Sequence, residues 1–257
     1  MFSLQNKTAI VTGGASGIGL AISRLFAKQG AAVHIFELNY SLAREESENI
    51  IKEHGLAVAH EVDVTNQKKV KQVVSSIASE DPVDILVNNA GIAHIGNAEN
   101  TKEEDFDRIV SVNIKGTYNC IQACIPVMKQ EEHGVILNMA SVAATVGIPD
   151  RFAYSTTKGA IISMTLSVAK DYIKYGIRCN CISPARVHTP FVDGFLAKNY
   201  PGKETEMFEK LAATQPIGRM AEPYEIAFLA LYLCSDEAGF ITGCDYPIDG
   251  GFLRLNN

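Results

Sequence analysis

A tyrosine and a lysine four residues apart are the residues of this sequence best suited to chemistry. Tyr154 and Lys158 fall in a stretch predicted to be helical, at about 150–175, so their side chains share one helix face. A phenol has a pKa of about 10, which is too high for easy proton exchange near neutral pH. A neighbouring ammonium group favours the phenolate and lowers that pKa, so the pair is suited to moving a proton.

Two more polar residues stand where they can join this proton exchange. Ser141 follows an apolar run at 134–139, the fifth predicted strand, and its hydroxyl can hold a substrate oxygen. Asn113 lies within a long predicted helix at 102–128, where asparagine is unfavourable because its side chain competes for backbone hydrogen bonds. An amide there can order a water molecule beside the lysine. Taken singly, residues of these types also fit ordinary surface positions on helices.

A glycine-rich stretch near the start of the chain can bring a cofactor to these residues. The sequence T-G-G-A-S-G-I-G at 12–19 follows an apolar run at 7–11 and precedes a helical pattern at 20–29. Glycine allows a tight turn and lets backbone N–H groups approach a pyrophosphate at the N-terminus of the helix. Strand, glycine turn and helix in this order predict nucleotide binding rather than an ordinary turn.

An acidic residue at the end of the second predicted strand, at 32–36, indicates which nucleotide is bound. Glu37 lies 20 residues beyond Gly17, where a carboxylate accepts hydrogen bonds from the adenosine ribose hydroxyls. The same carboxylate repels a 2′-phosphate, and neither the glycine stretch nor Leu38 supplies an arginine or lysine to offset that repulsion. The sequence therefore predicts NAD rather than NADP.

Polar or small residues also follow the third and fourth predicted strands. Asp63 can contact adenine or cap the next helix, for which Thr65 and Asn66 are equally good caps. The run N-N-A-G at 88–91 contains small residues that suit close approach by a ligand. Both places lie at the carboxyl ends of strands, where α/β sheets bind their ligands.

Composition and charge narrow the class of protein. The chain has 257 residues, of which 47% are hydrophobic, and no linker-like stretch, which indicates one domain over 1–257. A net charge of −6 disfavours nucleic acid and anionic membranes as partners, and no apolar run reaches the length of a membrane span. Six cysteines without a Cys-x-x-Cys pair, and no signal peptide, predict a reduced cytoplasmic protein without a bound metal.

Strands and helices alternate along the chain, which predicts a parallel sheet with helices on both faces. The segment at about 189–214 is charged and contains Gly, Pro and Asn, which indicates a mobile, substrate-covering segment with one or two helices. The remaining predicted elements are helices at 41–54, 69–78 and 223–233 and strands at 56–62, 83–87, 177–182 and 246–248.

Together these motifs resemble the short-chain dehydrogenases/reductases. The resemblance rests on Thr-Gly-x-x-x-Gly-x-Gly at 12–19, Asn-Asn-Ala-Gly at 88–91, Asn113, Ser141 placed 13 residues before Tyr154, and Lys158. It spans essentially the whole chain, and the joint pattern is highly specific. It implies an α/β, Rossmann-like doubly wound domain with a seven-stranded parallel sheet, assembled as a homotetramer.

The resemblance also assigns roles to residues. It implies a catalytic tetrad of Asn113, Ser141, Tyr154 and Lys158. The family usually has Pro-Gly after the sixth strand; this chain has Pro184-Ala185, and alanine restricts the backbone beside the nicotinamide. The implied cofactor contacts are Gly13, Ser16, Gly17, Ile18, Gly19, Glu37, Asp63, Val64, Asn89, Ala90, Gly91, Tyr154, Lys158, Val187 and Thr189.

Three basic side chains on separate elements predict an anionic substrate. Arg151 precedes Tyr154 by three residues, Arg186 lies in the loop expected beside the nicotinamide, and His94 follows the N-N-A-G run. Arginine presents a fork suited to a carboxylate. These side chains therefore join Ser141 and Tyr154 as predicted substrate contacts. The alternative is that they are solvated or pair with acidic residues, for which the candidates are Asp150, Asp193 and Glu222.

The stretch at 181–190 is most similar to the branch of the family that oxidises 2-keto-3-deoxy sugar acids of the L-fuconate type. Three alternatives stay open. The first is a 3-hydroxybutyrate-type dehydrogenase, and the second is an NADP-linked ketoacyl reductase, which Glu37 disfavours. The third is a cofactor-binding protein without turnover, which has no need of a full tetrad.

Overall fold

The computed structural model describes residues 2–255, and a single parallel sheet runs through it. The seven strands lie in the order β3-β2-β1-β4-β5-β6-β7, with every neighbouring pair parallel. This is the Rossmann-like, doubly wound arrangement that the alternation of elements predicts. The strands are β1 (Thr8–Thr12), β2 (Ala32–Glu37), β3 (Leu56–Glu61), β4 (Ile85–Asn88), β5 (Gly134–Met139), β6 (Ile177–Pro184) and β7 (Asp245–Ile248).

Helices cover both faces of the sheet, and each face has its own apolar core. Successive strand residues point to opposite faces, so Val11 of β1 packs into one core and Ile10 into the other. No helix within residues 2–255 is long and apolar enough to cross a membrane. The helices are α1 (Gly17–Lys28), α2 (Tyr40–Lys52), α3 (Gln67–Ala78), α4 (Glu103–Val110), α5 (Thr117–Gln130), α6 (Phe152–Tyr172), α7 (Pro190–Asn199), α8 (Glu204–Ala213) and α9 (Pro223–Cys234).

The order of strands reverses at β1, which lies between β2 and β4. This reversal brings the glycine turn after β1 beside the N-N-A-G run after β4, at the place where such sheets bind ligands. A threonine hydroxyl joins the two turns: Thr12 Oγ1 accepts hydrogen bonds from the backbone of Asn89 at 3.0 Å and of Ala90 at 2.9 Å. The two predicted cofactor motifs are therefore held together by the fold itself.

The helix predicted at 102–128 is interrupted in the structure. The single helix predicted at 102–128 consists of α4 and α5 joined by a π-helical segment, Ser111–Gly116, which carries Asn113. A π-helical turn widens the helix and often occurs at a functional site.

Asp63 does not cap α3; its Oδ1 accepts from the Thr65 backbone at 2.8 Å, whereas Asn66 Oδ1 caps the helix by accepting from the Lys69 backbone at 3.1 Å. The segment predicted at 189–214 contains α7 and α8.

Candidate active site

The glycine turn leaves a space and a set of donors that fit a pyrophosphate. Gly13 and Gly17 have φ values of +61° and +51°, in the left-handed region that favours glycine. A methyl group at Gly19 would collide with the carbonyl oxygen of Gly13, so the turn is closed to other residues there. Within the described chain, Ser16 precedes α1 without a side-chain capping bond, which leaves the first N–H groups of α1 available to an anion.

Lys158 is buried in the protein and makes one strong hydrogen bond. Its Nζ donates to the carbonyl oxygen of Met139 at 2.6 Å, and it lies 5.7 Å from the centre of the Tyr154 ring. Burial lowers the pKa of the Lys158 ammonium to about 8. The hydrogen bond holds α6 against the end of β5, so the reactive residues of both elements come together.

The surroundings of Tyr154 correct one part of the sequence-based account. Desolvation by the surrounding protein raises the pKa of Tyr154, whereas the sequence predicts a lowered pKa. A hydrogen bond with Ser141 acts against this rise, and so does the positive charge of Arg151. Arg151 is therefore a cation that opposes this rise, and the Lys158 ammonium is hydrogen-bonded to the Met139 carbonyl.

Asn113 lies in the π-helical segment with its amide fully engaged. Its Oδ1 accepts from the Ile92 backbone at 2.9 Å, and its Nδ2 donates to the Ile92 carbonyl and to Thr157 Oγ1, both at 3.0 Å. A methyl group placed on Gly91 would lie 3.3 Å from Asn113 Oδ1 and 3.8 Å from Lys158 Nζ. Asn113 and Lys158 thus meet around Gly91, but both amide protons of Asn113 are already used, so the water-ordering role stays a prediction.

Thr157 is a positioning residue that the sequence analysis missed. It is fully buried, and its hydroxyl donates to the Tyr154 carbonyl at 2.8 Å. Since its proton is committed there, its oxygen can only accept from Asn113, which fixes the orientation of that amide. A hydroxyl residue one position before Lys158 is too common on helices to be recognised from sequence.

A cavity of about 460 Å³ opens between these elements. Apolar side chains, including Leu211 and Met220, line the part near α8. Ala185 also lines it, and among the described residues its φ is not in the left-handed region, so alanine is accommodated there without strain. The predicted site residues in its wall are Ser16, Gly17, Ile18, Asn89, Gly91, Ser141, Arg151, Tyr154, Lys158, Arg186, Val187 and Thr189.

Other predicted cofactor residues lie outside the wall of this cavity, as far as the described residues show. Glu37 ends β2 with a half-buried side chain whose Oε1 accepts from the Leu38 backbone at 3.0 Å. It is at the carboxyl edge of the sheet, in the place expected for the adenosine half of the cofactor. The others are Gly13, Gly19, Asp63, Val64 and Ala90, which follow β1, β3 or β4.

The structure does not bring His94 to the cavity, contrary to the sequence-based expectation. Its Nε2 lies 3.6 Å from Asp105 Oδ2, and the residue is not part of the cavity wall over residues 2–255. The loop from 92 is held by Gly96, which forms an isolated β-bridge with Arg151, and this pairing directs the histidine towards α4.

Two guanidinium groups share the cavity without an acidic partner. Arg186 Nε donates to Thr214 Oγ1 at 3.0 Å, and Arg151 Nη1 donates to the Asp150 carbonyl at 3.2 Å. In the described part of the chain, no carboxylate lies within 4 Å of either guanidinium. Desolvation and the charge of Arg151 lower the pKa of Arg186, as expected for two cations in one cavity.

Of the three acidic residues considered as partners, Asp150 contacts Arg151 through its backbone carbonyl rather than its carboxylate, and the other two are engaged elsewhere. Asp193 Oδ1 lies 2.9 Å from His188 Nε2, in an ion pair when the imidazole is protonated. The Glu222 side chain belongs to the capping box at the start of α9. The part of the cavity wall formed by Arg151 and Arg186 is therefore cationic.

Comparison with known proteins agrees with the fold. The family model described as enoyl-(acyl carrier protein) reductase matches residues 13–253. The uncharacterized oxidoreductase YxbG of Bacillus subtilis is 38% identical over 98% of this chain and 93% of its own length. Dehydrogenase/reductase SDR family member 6 of Rattus norvegicus is 35% identical over 98% of this chain and 99% of its own.

A solved structure is also similar to this chain in sequence and fold. It is described as a putative NAD(P)-dependent gluconate 5-dehydrogenase from Beutenbergia cavernae with NADP bound at low occupancy. It is 29% identical, superposes with a TM-score of 0.90, and the match covers 98% of each chain. The chain belongs to the short-chain dehydrogenase/reductase family and is an oxidoreductase of that family.

The site residues fit the nicotinamide cofactor that this family binds. The glycine turn and the start of α1 would hold the pyrophosphate, and Lys158, Val187 and Thr189 stand where the nicotinamide half would lie. The cofactor supplies the hydride donor or acceptor. In the chain itself, Ser141 would hold the substrate oxygen and Tyr154 would exchange its proton.

Removal of the Tyr154 hydroxyl tests this assignment. We expect Tyr154→Phe to lower turnover by about 10² to 10⁴-fold, the usual contribution of general acid–base catalysis. NADH binding, followed by fluorescence titration, should change little because the phenyl ring remains. Tyr224→Phe, an exposed position on α9, is the matched control and should keep wild-type turnover. Turnover by Tyr154→Phe close to that of the control would contradict the role.

Proposed function

We propose that this protein is an NAD-dependent oxidoreductase that interconverts a secondary alcohol and a ketone on a small substrate bearing a carboxylate. The observation that carries the proposal is the pair of guanidinium groups, Arg151 and Arg186, in the same cavity as Ser141 and Tyr154. Both guanidinium groups are partly exposed and are not paired with a carboxylate of the described residues, so they are open to an anionic ligand. A carboxylate is the anion whose geometry matches a guanidinium fork.

The positions of these groups order the substrate. Arg151 begins the helix turn that leads to Tyr154, so a carboxylate held by Arg151 would lie within a few bonds of the reacting carbinol. Ser141 and Tyr154 would then hold the oxygen, and Tyr154 would exchange its proton. Small hydroxy acids fit this spacing, and the similarity of 181–190 to the sugar-acid branch favours a 2-keto-3-deoxy sugar acid of the L-fuconate type. A 3-hydroxybutyrate-type acid is the alternative substrate.

Glu37 supports NAD as the cofactor. Its carboxylate stands at the end of β2, where it would accept from both ribose hydroxyls and repel a 2′-phosphate. Because the related gluconate 5-dehydrogenase structure contains NADP, the choice of cofactor is a direct test of this reading. NAD preference would also count against an NADP-linked ketoacyl reductase. A cofactor-binding protein without turnover is disfavoured, because Ser141, Tyr154 and Lys158 lie in one cavity.

We also propose a homotetramer in the cytoplasm, with neither nucleic acid nor membrane as a partner. Large apolar side chains are exposed on two long helices: Tyr118 on α5, and Phe152 and Leu166 on α6. Phe228 and Phe240 are exposed towards the C-terminal end of the chain. Apolar surface of this kind is typical of interfaces between subunits.

The cofactor prediction is tested by steady-state kinetics with both dinucleotides. We expect the wild type to prefer NAD by roughly a hundredfold or more in kcat/KM, because like charges placed together cost several kcal/mol. Glu37→Ala should narrow that preference, mainly by improving NADP. Glu53→Ala, at the C-terminal end of α2, is the matched control and should leave the preference unchanged. Equal use of both cofactors by the wild type would refute the role of Glu37.

The substrate prediction is tested by a hydroxy acid and the neutral alcohol with the same carbon skeleton. We expect Arg151→Ala to raise KM for the acid by roughly tenfold to a hundredfold, since charge-assisted hydrogen bonds contribute about 1.5–3 kcal/mol. The charge of Arg151 also acts on the Tyr154 phenol, and loss of that effect should lower turnover of both substrates equally. Turnover of the neutral alcohol therefore measures it separately from carboxylate binding. Arg44→Ala, an exposed change on α2, is the control.

Two outcomes would count against the carboxylate assignment. Equal losses on acid and alcohol in Arg151→Ala would mean that Arg151 serves only the helix and Tyr154. A wild-type enzyme that turns over neutral alcohols but no hydroxy acid would remove the carboxylate from the proposed function altogether.

A further inference from the structure

Gln215, just after α8, carries a buried polar atom that the proposed chemistry does not use. The residue is 3% exposed and lines the same cavity as Tyr154 and Arg186. Its carbonyl oxygen, Oε1, is buried and has no hydrogen-bond partner among the residues described by the structure. A buried acceptor without a donor is unfavourable, so its presence in the wall of a substrate cavity calls for a ligand.

The neighbouring threonine fixes which end of the Gln215 amide is free. Thr214 Oγ1 donates its only proton to the Leu211 carbonyl at 2.6 Å. Its oxygen can therefore only accept, and it does so from Gln215 Nε2 at 2.8 Å and from Arg186 Nε at 3.0 Å. A flipped amide would place two acceptors face to face, so the nitrogen faces Thr214 and Oε1 stays unpaired.

The same hydrogen bonds tie Gln215 to the anion site. Thr214 Oγ1 joins Gln215 to Arg186, so a substrate whose carboxylate contacts Arg186 has its neighbouring atoms close to Gln215. An amide oxygen accepts from a hydroxyl or an amine and offers nothing to a methyl group or a carboxylate. The group that completes this site is therefore a hydrogen-bond donor on a ligand bound in the cavity.

We propose that Gln215 Oε1 accepts a hydrogen bond from a second hydroxyl of the substrate, and that the substrate is a polyhydroxy acid rather than a plain hydroxy acid. This inference rests on the proposed function and narrows its substrate class. Oε1 is covered by its neighbours in this arrangement, so the contact requires a small shift of α8 when substrate enters. Met220, a flexible side chain in the same wall, can give way to it.

Two short acids that differ by one hydroxyl test the inference. We would measure kcat/KM with NAD for 3,4-dihydroxybutyrate and 3-hydroxybutyrate, in the wild type and in Gln215→Met. Methionine keeps the length of the side chain and lacks a strong acceptor. The wild type should prefer the dihydroxy acid by about tenfold, the usual worth of one hydrogen bond to a buried group. Gln215→Met also removes the Nε2 hydrogen bond to Thr214, which acts on both acids through Arg186, so the readout is the ratio of the two kcat/KM values, which should fall to about one.

A matched control separates the site from a general effect of the substitution. Gln122 on α5 also has a buried amide oxygen without a partner in the described residues, but it lies outside the cavity wall. Gln122→Met should keep the wild-type preference between the two acids. Thermal unfolding of each variant shows whether it folds. The preference of the wild type for the dihydroxy acid is itself a test, and it needs no variant.

Each remaining outcome points to a particular failure. If the wild type turns over both acids equally, or prefers 3-hydroxybutyrate, the polyhydroxy substrate class is wrong although the proposed function stands. If the preference exists and survives in Gln215→Met, the hydroxyl is recognised elsewhere and the assignment to Gln215 is wrong. If neutral alcohols are turned over and neither acid is, the proposed function fails and this inference fails with it.

Discussion

One hydrogen bond, from a buried ammonium group to a strand-end carbonyl, holds the catalytic elements in place. Lys158 Nζ lies 2.6 Å from the Met139 oxygen, and this contact joins α6 to the carboxyl end of β5. Ser141 follows β5 and Tyr154 lies one helix turn before Lys158, so the contact brings hydroxyl and phenol together. The cost of burying the ammonium appears as the fall of the Lys158 pKa to about 8.

The cavity beside this contact is cationic and has two places for anions. The open start of α1 would hold the pyrophosphate, and Arg151 with Arg186 would hold the carboxylate of the proposed substrate. The positive charges also act on the chemistry, because Arg151 opposes the rise of the Tyr154 pKa that desolvation causes. In this account one arginine both orients the substrate and makes the phenol a better proton donor or acceptor.

The order of elements could be predicted from sequence because each strand is a short apolar run ended by a turn or helix signal. The glycine turn and the N-N-A-G run were recognisable because backbone geometry restricts the residues there. The π-helical segment at 111–116 could not be predicted, since it depends on the contacts of Asn113 with Ile92 and Thr157.

Electrostatic and side-chain details also depended on tertiary structure. The spacing of Tyr154 and Lys158 predicts their shared face, but the desolvation that raises the Tyr154 pKa comes from other elements. His94 has the right position in the chain for the cavity, yet the bridge between Gly96 and Arg151 directs it towards Asp105. The unpaired oxygen of Gln215 follows from the single proton of Thr214, which no sequence pattern shows.

The most direct test of the central claim is a crystal structure of the wild-type protein with NADH and a hydroxy acid that it turns over. The account predicts the carboxylate within hydrogen-bonding distance of the guanidinium groups of Arg151 and Arg186. It also predicts the reacting oxygen between Ser141 and Tyr154. A carboxylate that contacts neither arginine, with the reacting oxygen still at Tyr154, would contradict it.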